Sequence, residues 1–158
     1  MKNSVFLRFI REMPEEARVA AIVTLTKMST NEEDYTVLWS SANLVEVLTE
    51  LSKDKYWKVR REVAENPATP AKILEQLSED EDEVRSAVAG NPRTPPAVLT
   101  ELSKDKYWKV RFEVAVNPAT PAEVLTKLSK DKDEKVRCNV AVNSCYAKFK
   151  FSKRINNF

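Results

Sequence analysis

Residues 59–70 read VRREVAENPATP, residues 84–95 read VRSAVAGNPRTP and residues 110–121 read VRFEVAVNPATP. A shorter fourth copy, VRCNVAVN, occupies residues 136–143. Successive copies begin 25 or 26 residues apart. Self-similarity at such a fixed period is the signature of stacked supersecondary units. The sequence therefore predicts a repeat solenoid and not a closed globule.

The quoted half of each unit has the apolar spacing of a short helix. In the first copy Val59, Val63 and Ala64 share one helical face, and the other copies repeat this i, i+4, i+5 pattern. Each of these helices is expected to end at an asparagine, because the proline after it disfavours the α conformation in the residue before it. The asparagine side chains are expected to bond backbone groups in the turns. These residues are Asn66, Asn91 and Asn117.

The other half of each unit is predicted to be a second short helix, with apolar residues at helical spacing such as Leu74 and Leu77. A threonine is expected to cap this helix by accepting a hydrogen bond from a free backbone N–H, and the proline after it is expected at the first helical position. Glu123 would complete a capping box with its threonine. The predicted caps are Thr69, Thr94 and Thr120, followed by Pro70, Pro95 and Pro121.

Helices of this length do not persist alone in water. Neighbouring units must therefore cover each other's aliphatic faces and share one continuous core. The predicted fold is all-α, a solenoid of short paired helices with about 25–26 residues per repeat and little or no strand.

Three regions are predicted along the chain. Residues 1–42 form N-terminal helices with a degenerate capping repeat, in which Ile22 and Leu25 align with Leu48 and Leu51 of the next unit. Residues 43–143 form the solenoid. Residues 144–158 break the pattern and form either a divergent basic cap or a basic tail. An incompletely capped end would leave apolar core exposed and would favour a homodimer.

The repeated pattern VRxxVAxNPxTPxxxLxxLxxDxxxx resembles the leucine-rich repeat variant family, which is similar in architecture to HEAT-like solenoids. The resemblance covers about residues 43–143. It implies alternating short helices, one of which can be 3₁₀, wound into a right-handed superhelix. Some members bind an iron–sulfur centre through an N-terminal cysteine cluster. This chain has no cysteine before Cys138, so we expect no cofactor, and the family implies no common catalytic activity.

Two compositional features argue against an enzyme. The chain has no histidine, which is the commonest general base and metal ligand, so neither a catalytic site nor a metal site is expected. It has one glycine, whereas glycine-rich phosphate loops need several. The longest uncharged stretch, residues 35–45, is too short to span a bilayer. We therefore expect a cytoplasmic protein that does not contact a membrane.

A ladder of arginines recurs at one position of the repeat. Such a row could grip an acidic partner or phosphate groups. Alternatively, each arginine pairs locally with an equally regular aspartate, and we favour this interpretation because regular repeat positions usually serve the repeat. The arginines are Arg60, Arg85, Arg111 and Arg137, and the aspartates are Asp54, Asp80, Asp105 and Asp131.

Aromatic pairs occupy the predicted loop of alternate units, namely Tyr56-Trp57 and Tyr107-Trp108. Exposed tryptophan and tyrosine are typical anchors of protein interfaces. The alternative, which we favour, is that the tryptophans tuck between neighbouring helices. The acidic run from Glu79 to Glu83 is expected to be a solvated loop.

The function predicted from these features is a non-catalytic scaffold for protein–protein interaction, because a solenoid offers an extended binding surface. The candidate partner-binding residues are the aromatic pairs and the arginine ladder. The alternative is a helical solenoid that binds nucleic acid. It is not expected, because residues 69–94 hold six acids and three bases, so no basic stripe runs the length of the chain.

Overall fold

The computed structural model describes the backbone of residues 2–30 and 41–143, with side chains for residues 7–24 and 44–143. The predicted C-terminal region, residues 144–158, lies outside the described residues, as does the part of the predicted N-terminal capping repeat at residues 31–40. Within the described ranges the chain is helical and contains no strand. The predicted all-α fold is confirmed.

Ten helices follow one another in the described ranges, and from α3 onward they alternate as the first and second helices of the repeat. None of them is 3₁₀. They are α1 (Lys2–Glu12), α2 (Glu15–Thr30), α3 (Ser41–Leu51), α4 (Trp57–Glu65), α5 (Ala71–Leu77), α6 (Asp82–Gly90), α7 (Pro96–Leu102), α8 (Trp108–Val116), α9 (Ala122–Leu128) and α10 (residues 134–143).

The second helices stack directly on one another, α4 on α6 and α6 on α8. The apolar face read from the repeat fills the space between them, and first-helix leucines such as Leu74 and Leu99 close the core from the other side. This continuous core is what stacked units need, because no single pair of helices encloses its own aliphatics. The second-helix residues that are 0% exposed are Val59, Val63, Ala64, Val84, Val88, Ala89, Val110, Val114, Ala115 and Val136.

The predicted threonine caps are wrong. Helices α5, α7 and α9 have Pro70, Pro95 and Pro121 at the N-cap, and none of these helices has a side-chain capping bond, so the box between Thr120 and Glu123 does not form. Each threonine hydroxyl instead donates backwards, to a carbonyl oxygen near the end of the preceding helix. The acceptors are Val63 for Thr69, Val88 for Thr94 and Val114 for Thr120.

The threonines bond backwards because a turn returns them to the helix that has just ended. The backbone N–H of Thr69 donates to the carbonyl of Asn66, which closes the turn. The buried hydroxyl then lies beside Val63, whose carbonyl is one of the four that a helix leaves without a full set of partners at its C-terminal end. The hydroxyl therefore stabilises the end of one helix and not the start of the next.

The asparagines join neighbouring units as well as their own turns. The amide nitrogen of Asn91 donates to the carbonyls of Ala64 and Asn66 in the preceding unit, at 2.6 and 2.9 Å. Its side-chain oxygen accepts from the backbone N–H of Arg93 at 2.9 Å, as a turn asparagine is expected to do. Asn117 repeats this arrangement one unit later.

Helix α2 takes the place of a second helix at the N-terminal end of the stack. It packs on α4, and Arg18 pairs with Asp54 at 2.9 Å between Nε and Oδ2. Helices α4, α6 and α8 make the same kind of pair. This differs from the predicted register, which aligned Ile22 with the first-helix residue Leu48. Apolar residues at helical spacing fit both the first and the second helices of the repeat. The arginine is the residue that identifies α2 as a second helix.

Candidate functional site

Three of the four predicted ladder arginines are held in ion pairs between units. Arg60 pairs with Asp80, Arg85 with Asp105 and Arg111 with Asp131, at 2.6 to 2.7 Å. Each pair is bidentate, with Nε and Nη2 donating to the two carboxylate oxygens. A third nitrogen, Nη1, donates to a carbonyl in the turn before the arginine's own helix, such as Asp54 for Arg60. The donors of these guanidinium groups are therefore turned inward.

Arg137 differs from the other ladder residues. It is exposed, and it donates to the carbonyls of Asp131 and Lys132 in its own turn. The structure shows no aspartate pair for it among the described residues. Arg137 therefore keeps exposed cationic surface that the other three arginines do not have.

Only the tyrosine of each aromatic pair lies in the predicted loop, because each tryptophan is the first residue of a second helix. Tyr56 and Tyr107 are the N-cap residues of α4 and α8, and they are 38% and 42% exposed. Trp57 and Trp108 are half-buried and pack against the core. The tyrosines therefore offer the more accessible surface of each pair.

Further contacts of the aromatic residues fix their surroundings. Trp108 meets Phe112 edge-on, with ring centroids 6.1 Å apart, and the Lys135 ammonium lies 4.6 Å from the Trp108 ring. The guanidinium of Arg85 lies over the ring of Tyr107 at 5.8 Å. Tyr107 thus contacts the ladder while it remains 42% exposed.

The acidic run is divided among three roles and is not a loop throughout. Asp80 belongs to the ladder, Glu81 is the N-cap residue of α6, and Asp82 and Glu83 form the first turn of that helix. Acidic residues there are favoured by the helix dipole. In the part of the chain that the structure describes, no group of three or more acidic, cysteine or histidine residues is arranged to hold a metal ion.

A cleft of about 480 Å³ opens on the exposed face shared by α4, α6 and α8. Its floor is α6, which contributes the small residues Ser86, Ala87 and Gly90 to the lining. Larger side chains from the two flanking helices make the walls. The wall residues are Arg61 and Glu65 from α4, and Tyr107, Lys109 and Glu113 from α8 and its N-cap.

The carboxylate of Glu113 leans over Gly90. A Cβ placed on Gly90 would lie 3.2 Å from Glu113 Oε2, so the glycine makes room for this side chain. Burial raises the pKa of Glu113, and repulsion from Glu65 raises it further. Among the described residues the carboxylate of Glu113 makes no hydrogen bond or ion pair. Glu65, by contrast, accepts from Arg61 at 2.6 Å.

The cleft was missed by the sequence analysis, although its positions can be read in the repeat. Ser86 aligns with Arg61 and Phe112, and Gly90 aligns with Glu65 and Val116. Of these three units, the middle one therefore has the smallest residue at both positions. Of the predicted candidates only Tyr107 lines the cleft.

Comparisons with known proteins agree with the architecture. Residues 59–107 match the family model of the Leucine Rich Repeat Variant domain. A solved structure described as a leucine-rich repeat variant with a novel repetitive protein structural motif is similar, with a TM-score of 0.52 and 26% identity. The similarity covers 87% of this chain and 54% of the other, so the chain spans about half the length of that structure. No curated protein matches the sequence significantly.

The family resemblance and the helical repeat fold are thereby confirmed. None of the helices in the described ranges is both long and apolar enough to cross a bilayer.

Proposed function

We propose that this chain is a non-catalytic repeat scaffold that binds another protein through the exposed face of α4, α6 and α8. The observation that carries the proposal is the cleft on this face, which is built from positions that differ between units. Solenoids commonly bind partners on an extended surface formed by successive repeats.

Residues that recur in every unit are occupied in holding the units together. The paired arginines and aspartates, the asparagines and the threonines all bond within the scaffold. A side chain whose donors are already satisfied inside the fold has little left to offer a partner, because breaking its buried bonds would cost more than a new contact returns. Specific recognition is therefore assigned to the exposed residues that vary.

The three second helices present such variation side by side. The exposed column that begins with Lys58 continues with Glu83 and Lys109, and two more columns hold the cleft residues. A uniform face would bind a repeating partner, whereas this face has one depression between taller walls. It fits a single protruding group on the surface of a partner.

The non-catalytic part of the proposal rests on residue chemistry. The chain has no histidine, and Ser86, the serine in the cleft, makes no hydrogen bond to a base among the described residues. A hydroxyl without an adjacent base is a weak nucleophile. The nucleic-acid alternative is weakened as well, because three of its four candidate arginines are paired with aspartates.

The test is affinity capture from the native cell with three forms of the full chain: the unaltered protein, Ser86→Arg and the control Gln76→Arg. Ser86→Arg fills the cleft with the residue that Arg61 supplies in the preceding unit, so we expect the fold to tolerate it at that position. Gln76→Arg adds the same residue at an exposed position of α5. Circular dichroism checks that both variants fold.

We expect a partner that the unaltered chain and Gln76→Arg retain and that Ser86→Arg loses. A set of captured proteins that is the same for all three forms would contradict the proposed binding face.

A further inference from the structure

We propose that the cleft receives a positively charged side chain, a lysine or an arginine, from a basic segment of the partner protein. This inference rests on the proposed scaffold function and adds the chemistry of the group that is bound. Three features favour a cation: the charge of the lining, the position of Glu113 and the C-terminal end of α6.

The lining carries more negative than positive groups. Its carboxylates belong to Glu65, Asp82, Glu83 and Glu113, and its cations are Arg61 and Lys109. Arg61 is already paired with Glu65. The lining therefore has two carboxylates in excess, and an incoming cation is attracted to it, whereas an anion is repelled.

Glu113 decides which occupant can be tolerated. The residue is half-buried before anything binds, and its carboxylate has no hydrogen-bond or ion-pair partner among the described residues. Any group that enters the cleft removes further water from this carboxylate. An apolar occupant would leave the carboxylate without compensation, which is costly for a charged group. An ammonium or guanidinium group would supply both the opposite charge and the hydrogen bonds.

The backbone at the C-terminal end of α6 also favours a cation in the cleft. Gly90 and Asn91, the last residue and the C-cap of α6, both line the cleft. The C-terminal end of a helix carries partial negative charge and favours cations. The volume of about 480 Å³ lies within the usual range of roughly 300–1,000 Å³ for binding sites.

The test measures fluorescence anisotropy of the full chain with a short fluorescein-labelled peptide of alternating lysine and serine. A second peptide with glutamine in place of lysine is the matched neutral probe. Both are titrated at low and at physiological salt, because screening weakens diffuse surface attraction more than contact with a partly buried carboxylate. We expect the lysine peptide to bind at least about tenfold more tightly than the glutamine peptide.

Three variants assign the binding to the cleft. Glu113→Gln removes its charge without changing its shape, and Ser86→Phe fills it with the residue that Phe112 supplies one unit later. Glu75→Gln makes the same charge change at an exposed position of α5, away from the cleft. We expect the first two to weaken binding of the lysine peptide by about fivefold or more, and Glu75→Gln to change it by less than about twofold.

Several results would overturn the inference. One is no binding of the lysine peptide at millimolar concentration, and another is an equal loss for Glu75→Gln and Glu113→Gln, which would indicate diffuse attraction. A third result would come from the full chain in which glutamine replaces the basic residues Lys148, Lys150, Lys153 and Arg154. If the lysine peptide binds this variant about tenfold more tightly than it binds the unaltered chain, the basic segment of the chain itself is the occupant of the cleft.

The two proposals can fail separately. A captured partner that is lost with Ser86→Arg, together with a lysine peptide that does not bind, would leave the scaffold proposal standing and remove the cationic group. If Ser86→Arg captures the same proteins as the unaltered chain, the scaffold proposal itself is contradicted, whether or not the lysine peptide binds.

Discussion

The amide of Asn117 stabilises two units at once. It is 2% exposed; its nitrogen donates to Ala89 and Asn91 of the preceding unit, and its oxygen accepts from Ala119. Asn117→Ala removes three hydrogen bonds and leaves the Ala89 carbonyl without this donor. We expect the free energy of unfolding to fall by about 2–4 kcal/mol, measured by urea denaturation followed by circular dichroism.

The control for this prediction is Asn139→Ala. Asn139 donates only to Lys135 within its own helix, and alanine is the better helix former, so we expect little change in stability. Equal, small losses for Asn117→Ala and Asn139→Ala would show that the asparagine does not couple the units.

Glu113 is expected to cost stability at neutral pH, because the pKa of this carboxyl is raised by burial and by Glu65. The folded chain binds its proton more tightly than the unfolded chain, so the free energy of unfolding falls as the pH rises from about 4.3 through the raised value. The charged groups that face it across the cleft are Arg61 and Glu65 on α4, Asp82 and Glu83 on α6, and Lys109 on α8.

Glu113→Gln should therefore melt at a higher temperature than the unaltered chain at pH 7, and this advantage should vanish below about pH 4. Differential scanning fluorimetry across this range measures both values. Glu75→Gln, an exposed change of the same kind, is expected to show neither effect. A lower melting temperature for Glu113→Gln at pH 7 would mean that Glu113 has a stabilising partner.

At the scale of the element, the ladder sets how one second helix sits on the next. Arg111 belongs to α8 and Asp131 to the turn before α10, and their side chains are 5% and 8% exposed. The Arg111 hydrogen bond lowers the pKa of Asp131. The pair therefore contributes stability above the usual aspartate value of about 3.9, and this contribution is lost as the pH falls through the lowered value.

Arg111→Ala is expected to lower the free energy of unfolding by about 3–5 kcal/mol, because it leaves the Asp131 carboxylate buried and unpaired. Chemical denaturation at pH 7 measures this loss. Arg8→Ala is the control, since Arg8 and Glu12 form a pair whose side chains are 80% and 65% exposed, and exposed pairs contribute little. A loss for Arg111→Ala as small as that for Arg8→Ala would contradict a structural role for the ladder.

Most elements of the fold are predictable from the sequence because each follows from a local rule. The valines at i and i+4 and the alanine at i+5 place α4, α6 and α8, and the proline after each asparagine ends them. The direction in which a threonine hydroxyl forms its hydrogen bond does not follow from such a local rule. Thr69 could accept from the helix ahead or donate to Val63 behind, and the turn geometry decides between them.

The site was harder to predict than the fold, since the cleft is the space that the side chains of three helices leave unfilled. The alignment shows Gly90 beside Glu65 and Val116, but it does not show that Glu113 bends over the space that Gly90 leaves. Pairing of the arginines could be anticipated from their regular aspartates. The sequence does not show that each aspartate comes from the following unit, because this depends on the distance between the stacked helices.

At the scale of the whole molecule, the described units interact chiefly with their neighbours along the stack. The stability of such an array is approximately a sum of unit and interface contributions. Duplicating residues 84–109 in tandem adds one second helix and one first helix in register. The new interface reproduces the pair between Arg85 and Asp105 and the hydrogen bonds of Asn91.

We therefore expect the extended chain to keep the same helicity per residue and to melt several degrees higher than the parent chain. The reason is that the added interface contributes its own stability to the sum over the array. Circular dichroism thermal melts compare it with the parent chain. A glycine–serine insert of equal length at the same place is the control, and it should lower the melting temperature by separating α6 from α8. A duplicated unit that behaved like this insert would show that the units do not stack as independent neighbours.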